Sequence, residues 1–145
     1  MKKIILTLAI AIICASALFS QTQNTANSDT SYYVRITSPT DGYSVGMDCQ
    51  IRGEARIPRG NHLWLFCHRA DNLLWWAQNS PNASTPNWRV TVNVGVRADI
   101  GYDFEIVAIV VDNIVDAQIR ASYGQGIVLP NTHISSMRTV RKISH

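Results

Sequence analysis

Apolar and polar side chains alternate along several short segments of this chain, and turn residues separate those segments. The segment 45–52 reads VGMDCQIR and the segment 88–94 reads WRVTVNV, so every second side chain is apolar or small in both. A period of two is that of a β-strand with one buried face. The segment 104–111, FEIVAIVV, is apolar at nearly every position, which favours a strand buried on both faces. The sequence therefore predicts a domain built mostly of strands.

Further short strands are predicted on either side of these three. They cover 32–36, 62–69, 73–78 and a closing stretch within 134–143, and the turn Asp71-Asn72 makes 62–78 a hairpin. The spacing changes after Asp112, where DNIVDAQIRASYGQG predicts a short helix capped by Asp112 and ended before Gly124. About seven strands with turns between them and one inserted helix predict an all-β, antiparallel β-sandwich, with an up-and-down barrel as the alternative.

The side chains of the closing stretch are assigned by their apolar character. Ile134, Met137, Val140 and Ile143 are expected to face the core, whereas Arg138 and Arg141 are expected to face solvent.

The N-terminus has the three-part layout of a bacterial signal peptide. Lys2 and Lys3 precede an apolar block at 4–13, and small residues at 15–17 follow. The block is shorter than the roughly 20 apolar residues of a membrane-spanning helix. Residues 1–20 are therefore predicted to be removed on export to the periplasm, the cell surface or the medium, and no transmembrane span is expected. A lipoprotein anchored through Cys14 is the alternative, although Ile13 stands where that processing prefers a small residue.

The polar residues 21–31 are predicted to form a flexible leader, because they lack large apolar side chains that could bury surface. The domain is expected to span 32–145, a length typical of one domain. Without Lys2 and Lys3, 11 of the 13 basic residues remain against 10 acidic ones. Arg52, Arg56 and Arg59 are interleaved with Glu54, as on an ordinary solvated strand. Nucleic acid is therefore not an expected partner.

Several anchors along the chain resemble immunoglobulin-like and fibronectin-III-like β-sandwich domains of exported bacterial proteins. They are a first strand ending in ITSPTDG at 36–42, a second strand closing at Gly53, LWL at 63–65, Trp88, and FEI at 104–106. The resemblance covers residues 33–143 and implies the same fold. It brings no catalytic residues, and such domains serve adhesion, carbohydrate binding, assembly or spacing.

Cys49 and Cys67 are the cysteines that remain beyond the signal peptide, and export permits a disulfide between them. In a sandwich such a bridge would join the second and third strands, which lie in opposite sheets. Immunoglobulin domains proper instead join the second and sixth strands, and the sixth strand here has no cysteine. Two free thiols in the core are the alternative.

Catalysis, cofactors and metals are not expected. Cys67 and His68 are neighbours on a strand, so their side chains point to opposite faces and cannot form a dyad. His62 and His68 stand six residues apart, about 20 Å at strand rise, too far for one ion. Glu105 is unusual inside an apolar strand and requires either solvent or a partner, for which Arg89 is a possible residue.

The tryptophans carry the functional signal. Trp64 and Trp88 follow strand parity and are expected in the core. Trp75 and Trp76 are adjacent, so in a strand they face opposite ways and one of them must face away from the core. Together with the polar loop 79–87, they predict a binding surface that consists of Trp75, Trp76, Asn79 and Asn82.

The predicted function is a secreted, non-catalytic module that binds a glycan or a protein through the aromatic hairpin 62–78. If the loop 79–87 covers the outward-facing tryptophan of the Trp75–Trp76 pair, that tryptophan does not indicate a binding surface. An alternative function is a structural or inhibitory envelope protein that adds a strand at a sheet edge.

Overall fold

The computed structural model describes residues 32–81, 86–135 and 137–144. The predicted signal peptide, leader, Cys14 and Asn82 lie outside these residues, so the predictions on them remain predictions.

Ten strands and one α-helix are present in the described part of the chain. They are β1 (Tyr33–Ser38), β2 (Tyr43–Val45), β3 (Asp48–Arg56), β4 (His62–Arg69), β5 (Trp75–Ala77), β6 (Asn87–Asn93), β7 (Asp103–Val111), α1 (Asn113–Ala121), β8 (Gly126–Ile127), β9 (His133–Ile134) and β10 (Arg138–Lys142). A single 3-10 turn at Arg97–Asp99 lies between β6 and β7.

The strands form two sheets. The smaller sheet has the order β1-β3-β6, and the larger has the order β2-β10-β7-β4-β5-β8, with β9 paired to β7. All pairs are antiparallel except β2 with β10, which is parallel. The first, third and sixth strands in one sheet, facing the fourth, seventh and last in the other, reproduce the order of an immunoglobulin-like sandwich. The predicted all-β sandwich with one inserted helix is confirmed, with short extra strands at the edges.

The core between the sheets follows from strand alternation. Val34 and Ile36 of β1 face Leu63 and Leu65 of β4 in one apolar cluster. Further members, from both sheets, are Ile51, Ala55, Cys49, Cys67, Trp88, Val92, Val94, Phe104, Ile106, Ala108, Val110 and Val140. Burial of this many apolar side chains is the main favourable term in the fold.

A second apolar cluster lies on the outer face of the larger sheet, where α1 covers it. Trp64 and Phe66 of β4 pack there with Val107 and Ile109 of β7 and with Ile119 of α1. The helix begins as predicted, because the Asp112 carboxylate accepts hydrogen bonds from the backbone N–H groups of residues 114 and 115. Trp64 is thus buried, as expected, but it lies under the helix on the outer face of the larger sheet and not between the two sheets.

Trp64 also fixes the helix to the sheet. Its indole Nε1 donates to Asp116 Oδ1 at 2.8 Å, and Arg120 Nε donates to the other carboxylate oxygen at 2.8 Å. The Arg120 guanidinium lies 5.3 Å from the Trp64 ring centroid. The guanidinium of Arg120 holds the pKa of Asp116 below its usual range, and burial of the carboxylate partly opposes this.

The closing stretch differs from its sequence-based assignment. It is split into β9 and β10, and parity from Val140 places Lys142 in the core, fully buried, with Nζ donating to the Val94 carbonyl at 2.7 Å. Met137 and Ile143, which were expected to face the core, are exposed instead, at 45% and 56%. Arg138 turns inward and donates to the Ile36 carbonyl at 2.8 Å, closing the seam between β1 and β10. The long Lys142 stem allows its ammonium to reach a backbone carbonyl, which hydropathy alone does not reveal.

Candidate functional site

Trp75 and Trp76 are separated by the sheet. β5 pairs with β4 so that Cys67 opposes Trp76, and the two tryptophans project from opposite faces. Trp75 is buried in the outer cluster at 8% exposure, whereas Trp76 is half-buried on the other face. Of the two, Trp76 is the accessible indole.

The Trp75 ring stacks on a histidine ring and is therefore shielded from solvent. The ring centroids of His68 and Trp75 are 3.6 Å apart with an angle of 16° between the planes. His68 Nε2 lies 2.7 Å from Glu105 Oε2, directly across the β4–β7 ladder, and donates to it because a carboxylate accepts. The partner of Glu105 is therefore His68 and not Arg89, which the sequence offered as an alternative to solvent.

Trp76 lines a cleft of about 410 Å³. The cleft opens where the strand pair β4–β5 approaches the end of β6 and the loop that follows it. Its lining includes polar side chains and the apolar floor of the core: Cys67, His68, Arg69, Asn72, Trp76, Gln78, Asn93, Gly95, Val96, Asp99 and Phe104.

The amide side chains of the cleft have a defined orientation. Asn72 Oδ1 accepts from the Leu74 backbone N–H at 3.0 Å, and Gln78 Oε1 accepts from the Asn93 backbone N–H at 2.8 Å. Since a backbone N–H must meet an oxygen, these contacts determine which end of each amide is which. Both amide NH₂ groups therefore retain donor capacity, although one Gln78 N–H reaches the Trp76 carbonyl at 3.3 Å.

Arg69 at the cleft is held by two carboxylates. Arg69 binds Asp71 at 2.6 Å through Nε and Asp99 at 3.0 Å through a terminal nitrogen, and it lies 4.2 Å from the Tyr102 ring centroid. The hydrogen bond to Asp71, with that to Asp99, raises the pKa of Arg69 above its usual value. Asp99 also accepts from the Val96 N–H at 2.7 Å. A neutral ligand fits this charge distribution better than an ion does.

Of the two predicted asparagines, Asn79 is not brought into this cleft. Asn79 uses its side-chain Nδ2 to donate to the Thr91 carbonyl at 3.1 Å, which ties the end of the hairpin to β6. It lines a separate hollow of about 510 Å³ together with Trp64, Ser80, Arg120 and Tyr123 on the helix side. Asn82 lies outside the described residues.

The two cysteines point into the inter-sheet core, as strand parity predicts, and both are free thiols in the structure. Burial raises the pKa of the Cys67 thiol well above its usual range; Cys49 adds to this rise and Lys142 opposes it. A thiol in this state is a poor nucleophile.

Sequence reasoning missed the polar wall of the cleft. Asn72, Gln78 and Asn93 are separated along the chain, and each looks like an ordinary turn or surface residue. Only the register of β5 against β4 and the crossing to β6 bring them around Trp76. The hairpin turn at Asn72 was the one part of this wall that the pattern indicated.

Among the described residues, no group of three or more histidine, cysteine or acidic side chains is placed to hold a metal ion. In the same part of the chain, no helix is long and apolar enough to cross a membrane.

Comparison with models of known protein families finds no match, and no curated protein matches the sequence. One similar chain belongs to a solved structure described as "Structural basis of T cell specificity and activation by the bacterial superantigen toxic shock syndrome toxin-1". The likeness has a TM-score of 0.39 at 10% identity, and it covers 77% of this chain and 99% of that chain. A likeness of this size carries no argument about ligands or partners.

Proposed function

We propose that this protein is an exported, non-catalytic binding module that takes a neutral glycan in the Trp76 cleft. The observation that carries the proposal is the half-buried Trp76 indole beside oriented amide donors in a cleft of about 410 Å³. Sugar rings present an apolar face, which stacks on an indole, and hydroxyl groups, which accept from amide N–H groups.

The charge pattern supports a neutral ligand. Arg69 binds Asp71 at 2.6 Å and Asp99 at 3.0 Å, so each of these three charged groups already has a partner of opposite charge. The amide oxygens of Asn72 and Gln78 are occupied by backbone N–H groups, which leaves donors facing the cleft. A ligand rich in acceptor oxygens complements such a wall.

A non-catalytic role is supported by the state of the reactive groups. Cys67 and His68 are on opposite faces of β4, and the Cys67 thiol has a raised pKa. Neither group has the geometry of an activated nucleophile with its base.

The test is a glycan array probed with the wild-type protein and with Trp76→Ala. We expect wild-type binding to neutral glycans and a loss of roughly tenfold or more in Trp76→Ala, because stacking and desolvation at the indole are lost. Leu73→Ala is the matched control, since Leu73 is an apolar residue of the same hairpin and is 88% exposed. Thermal melting of both variants checks that they remain folded.

Equal binding by Trp76→Ala and the wild type would reject the site, and binding to no glycan would reject the ligand class. If Trp76→Ala instead loses a protein partner in a pull-down, the same cleft serves a protein contact and the glycan proposal is wrong.

Strand addition at a sheet edge is the competing function. At its 91–93 end, the edge strand β6 already has its Thr91 carbonyl and Asn93 N–H occupied by the side chains of Asn79 and Gln78. This coverage weakens the case for strand addition at that edge. Size-exclusion chromatography with light scattering separates the two functions, because strand addition predicts oligomers or a tight protein complex and indifference to sugars.

A further inference from the structure

The outer face of the three-stranded sheet carries unpaired positive charge that cannot be recognised from the linear sequence. Along β3 the outward-facing side chains include Arg52 and Arg56, which are exposed, and Glu54, which is half-buried; in sequence their charges look mutually neutralising. The sheet redistributes these charges. Glu54 is opposite Arg35 of β1 and binds it at 2.7 Å, so its carboxylate does not serve Arg52 or Arg56.

The neighbour of Arg52 on β6 is a second arginine. In the β3–β6 ladder, Arg52 is directly opposite Arg89, and both side chains are exposed. The Arg52 guanidinium donates to the neutral Gln50 amide oxygen at 3.3 and 3.1 Å. Within the described residues, neither Arg52 nor Arg89 forms an ion pair with a carboxylate.

Like charges directly opposite each other on neighbouring strands destabilise a sheet. Threonine or glutamine at either position would avoid this repulsion and would suit an exposed strand equally well. A bound anion removes the repulsion, because two guanidinium groups then share one negative group.

The two arginines border a concavity. A hollow of about 390 Å³ is lined by Thr37, Arg52, Gly53, Asn87, Trp88 and Arg89. Gly53 and Trp88 face the core at this point, so the floor of the hollow is mainly backbone, and the exposed side chains of Arg52 and Arg89 form its wall. Guanidinium groups form paired hydrogen bonds to carboxylates and related oxyanions, and a hydroxyl from Thr37 adds a further polar group.

We propose that Arg52 and Arg89 form a binding site for the acidic groups of a polysaccharide, that is, its carboxylates or sulfates. This site is independent of the Trp76 cleft and of the proposed function there. The anion is held between the two guanidinium groups over Gly53, and the sugar chain runs along the exposed face of the sheet.

The chemistry of the face favours a polysaccharide over other polyanions. A protein interface or a membrane contact requires apolar side chains at its centre, and within the described residues Tyr33 is the one large apolar side chain on this face. Nucleic acid requires a denser positive field than a chain with 11 basic and 10 acidic residues beyond Lys2 and Lys3 supplies, and Asp48 closes one end of the face. Three strands present a face only about 10 Å wide, which suits one extended chain.

The experiment measures binding of the mature protein to polygalacturonate and to dextran sulfate, with neutral dextran as the blank. We expect binding to at least one acidic polymer, a loss of roughly tenfold in Arg89→Gln and in Arg52→Gln, and weaker binding as salt rises. Arg97→Gln is the matched control, because it removes the same charge from an exposed position between β6 and β7 and is expected to change affinity less than about twofold.

A stability measurement distinguishes a ligand site from a structural role. Because Arg52 and Arg89 repel each other in the free protein, Arg89→Gln is expected to raise the thermal midpoint while it lowers the affinity for the polymer. A lowered midpoint in Arg89→Gln would show that the pair supports the fold and would overturn the inference.

Equal affinity of Arg89→Gln and Arg97→Gln would also overturn it, as would the absence of binding to either acidic polymer. Tighter binding to duplex DNA or to phosphatidylglycerol vesicles than to both polymers would assign the site to another class of partner. Trp76→Ala is expected to bind the acidic polymers as the wild type does, so this test and that of the glycan cleft fail separately.

Discussion

Replacing Gly53 by alanine adds one atom, the Cβ, and so tests how closely the smaller sheet is packed at that position. A Cβ built on Gly53 would lie 2.0 Å from Cζ2 of Trp88 and 2.4 Å from the Arg35 carbonyl oxygen. Contacts this short cannot be accommodated, and one of the two obstacles is backbone, which does not rotate away. Overpacking of this kind costs about 3 kcal/mol, at the upper end of its usual range.

The alanine also brings a benefit. Glycine in a strand interior costs about 0.5–1 kcal/mol relative to alanine, so Gly53→Ala recovers that amount. We therefore expect a net loss of about 2 kcal/mol or more in the free energy of unfolding, and a fall of roughly 8 °C or more in the thermal midpoint. Urea denaturation followed by tryptophan fluorescence measures the first, and calorimetry measures the second.

Gly46→Ala is the matched control. A Cβ at Gly46 meets only the Ser144 hydroxyl, at the ordinary distance of 3.4 Å, so stability is expected to change by less than about 0.5 kcal/mol. Combining Gly53→Ala with Trp88→Leu removes one obstacle, and the double variant is expected to be about 1 kcal/mol more stable than the sum of the single losses. Wild-type stability in Gly53→Ala, or a loss of equal size in Gly46→Ala, would refute the reasoning.

Two further predictions concern titrating groups. Asp116 has a pKa lowered in the folded state by Arg120, so its contribution to stability is complete above the unfolded pKa of about 3.9 and is lost as pH falls through the lower folded value. Asp116→Asn is therefore expected to cost about 1 kcal/mol near neutral pH, with the gap to the wild type closing below about pH 4 in acid-melting curves; a constant gap would contradict this. Cys49 and Cys67 are buried with raised pKa values, so a thiol reagent is expected to modify them only as fast as the protein unfolds; rapid labelling of the native protein would disprove it.

The sequence alone determined the class of the fold and most of its strands. Strand alternation depends only on each residue's neighbours along the chain, and the segment 88–94 corresponds to β6. The segment 45–52 was predicted as one strand, but the structure divides it: Val45 ends β2 in the larger sheet, and Asp48 begins β3 in the smaller one. The helix was predictable for the same reason, since its cap at Asp112 and its end before Gly124 are local chemistry. Cys49 and Cys67 were placed in the core by the same parity.

Parity failed where both faces of a strand are covered. It placed Trp64 in a core but could not tell which one, because the helix that buries it is 49 residues further along the chain. Hydropathy likewise did not indicate that Lys142 is buried, since its ammonium reaches the Val94 carbonyl across the sandwich. The sequence indicated that the side chains of the adjacent Trp75 and Trp76 point to opposite faces of a strand. Only the register of β5 against β4 decided that Trp76 is the accessible one.

The charged side chains of the smaller sheet show most clearly what the sequence determines and what only the tertiary structure decides. Along the chain, Glu54 lies between Arg52 and Arg56 and looks like their counterion, because sequence shows only neighbours separated by one or two residues. In the sheet, each of these side chains is closest to residues on the adjacent strands, about 5 Å away and tens of positions distant in sequence. That register gives Glu54 to Arg35 and places Arg52 against Arg89, so the tertiary structure alone decides where the positive charge remains unpaired.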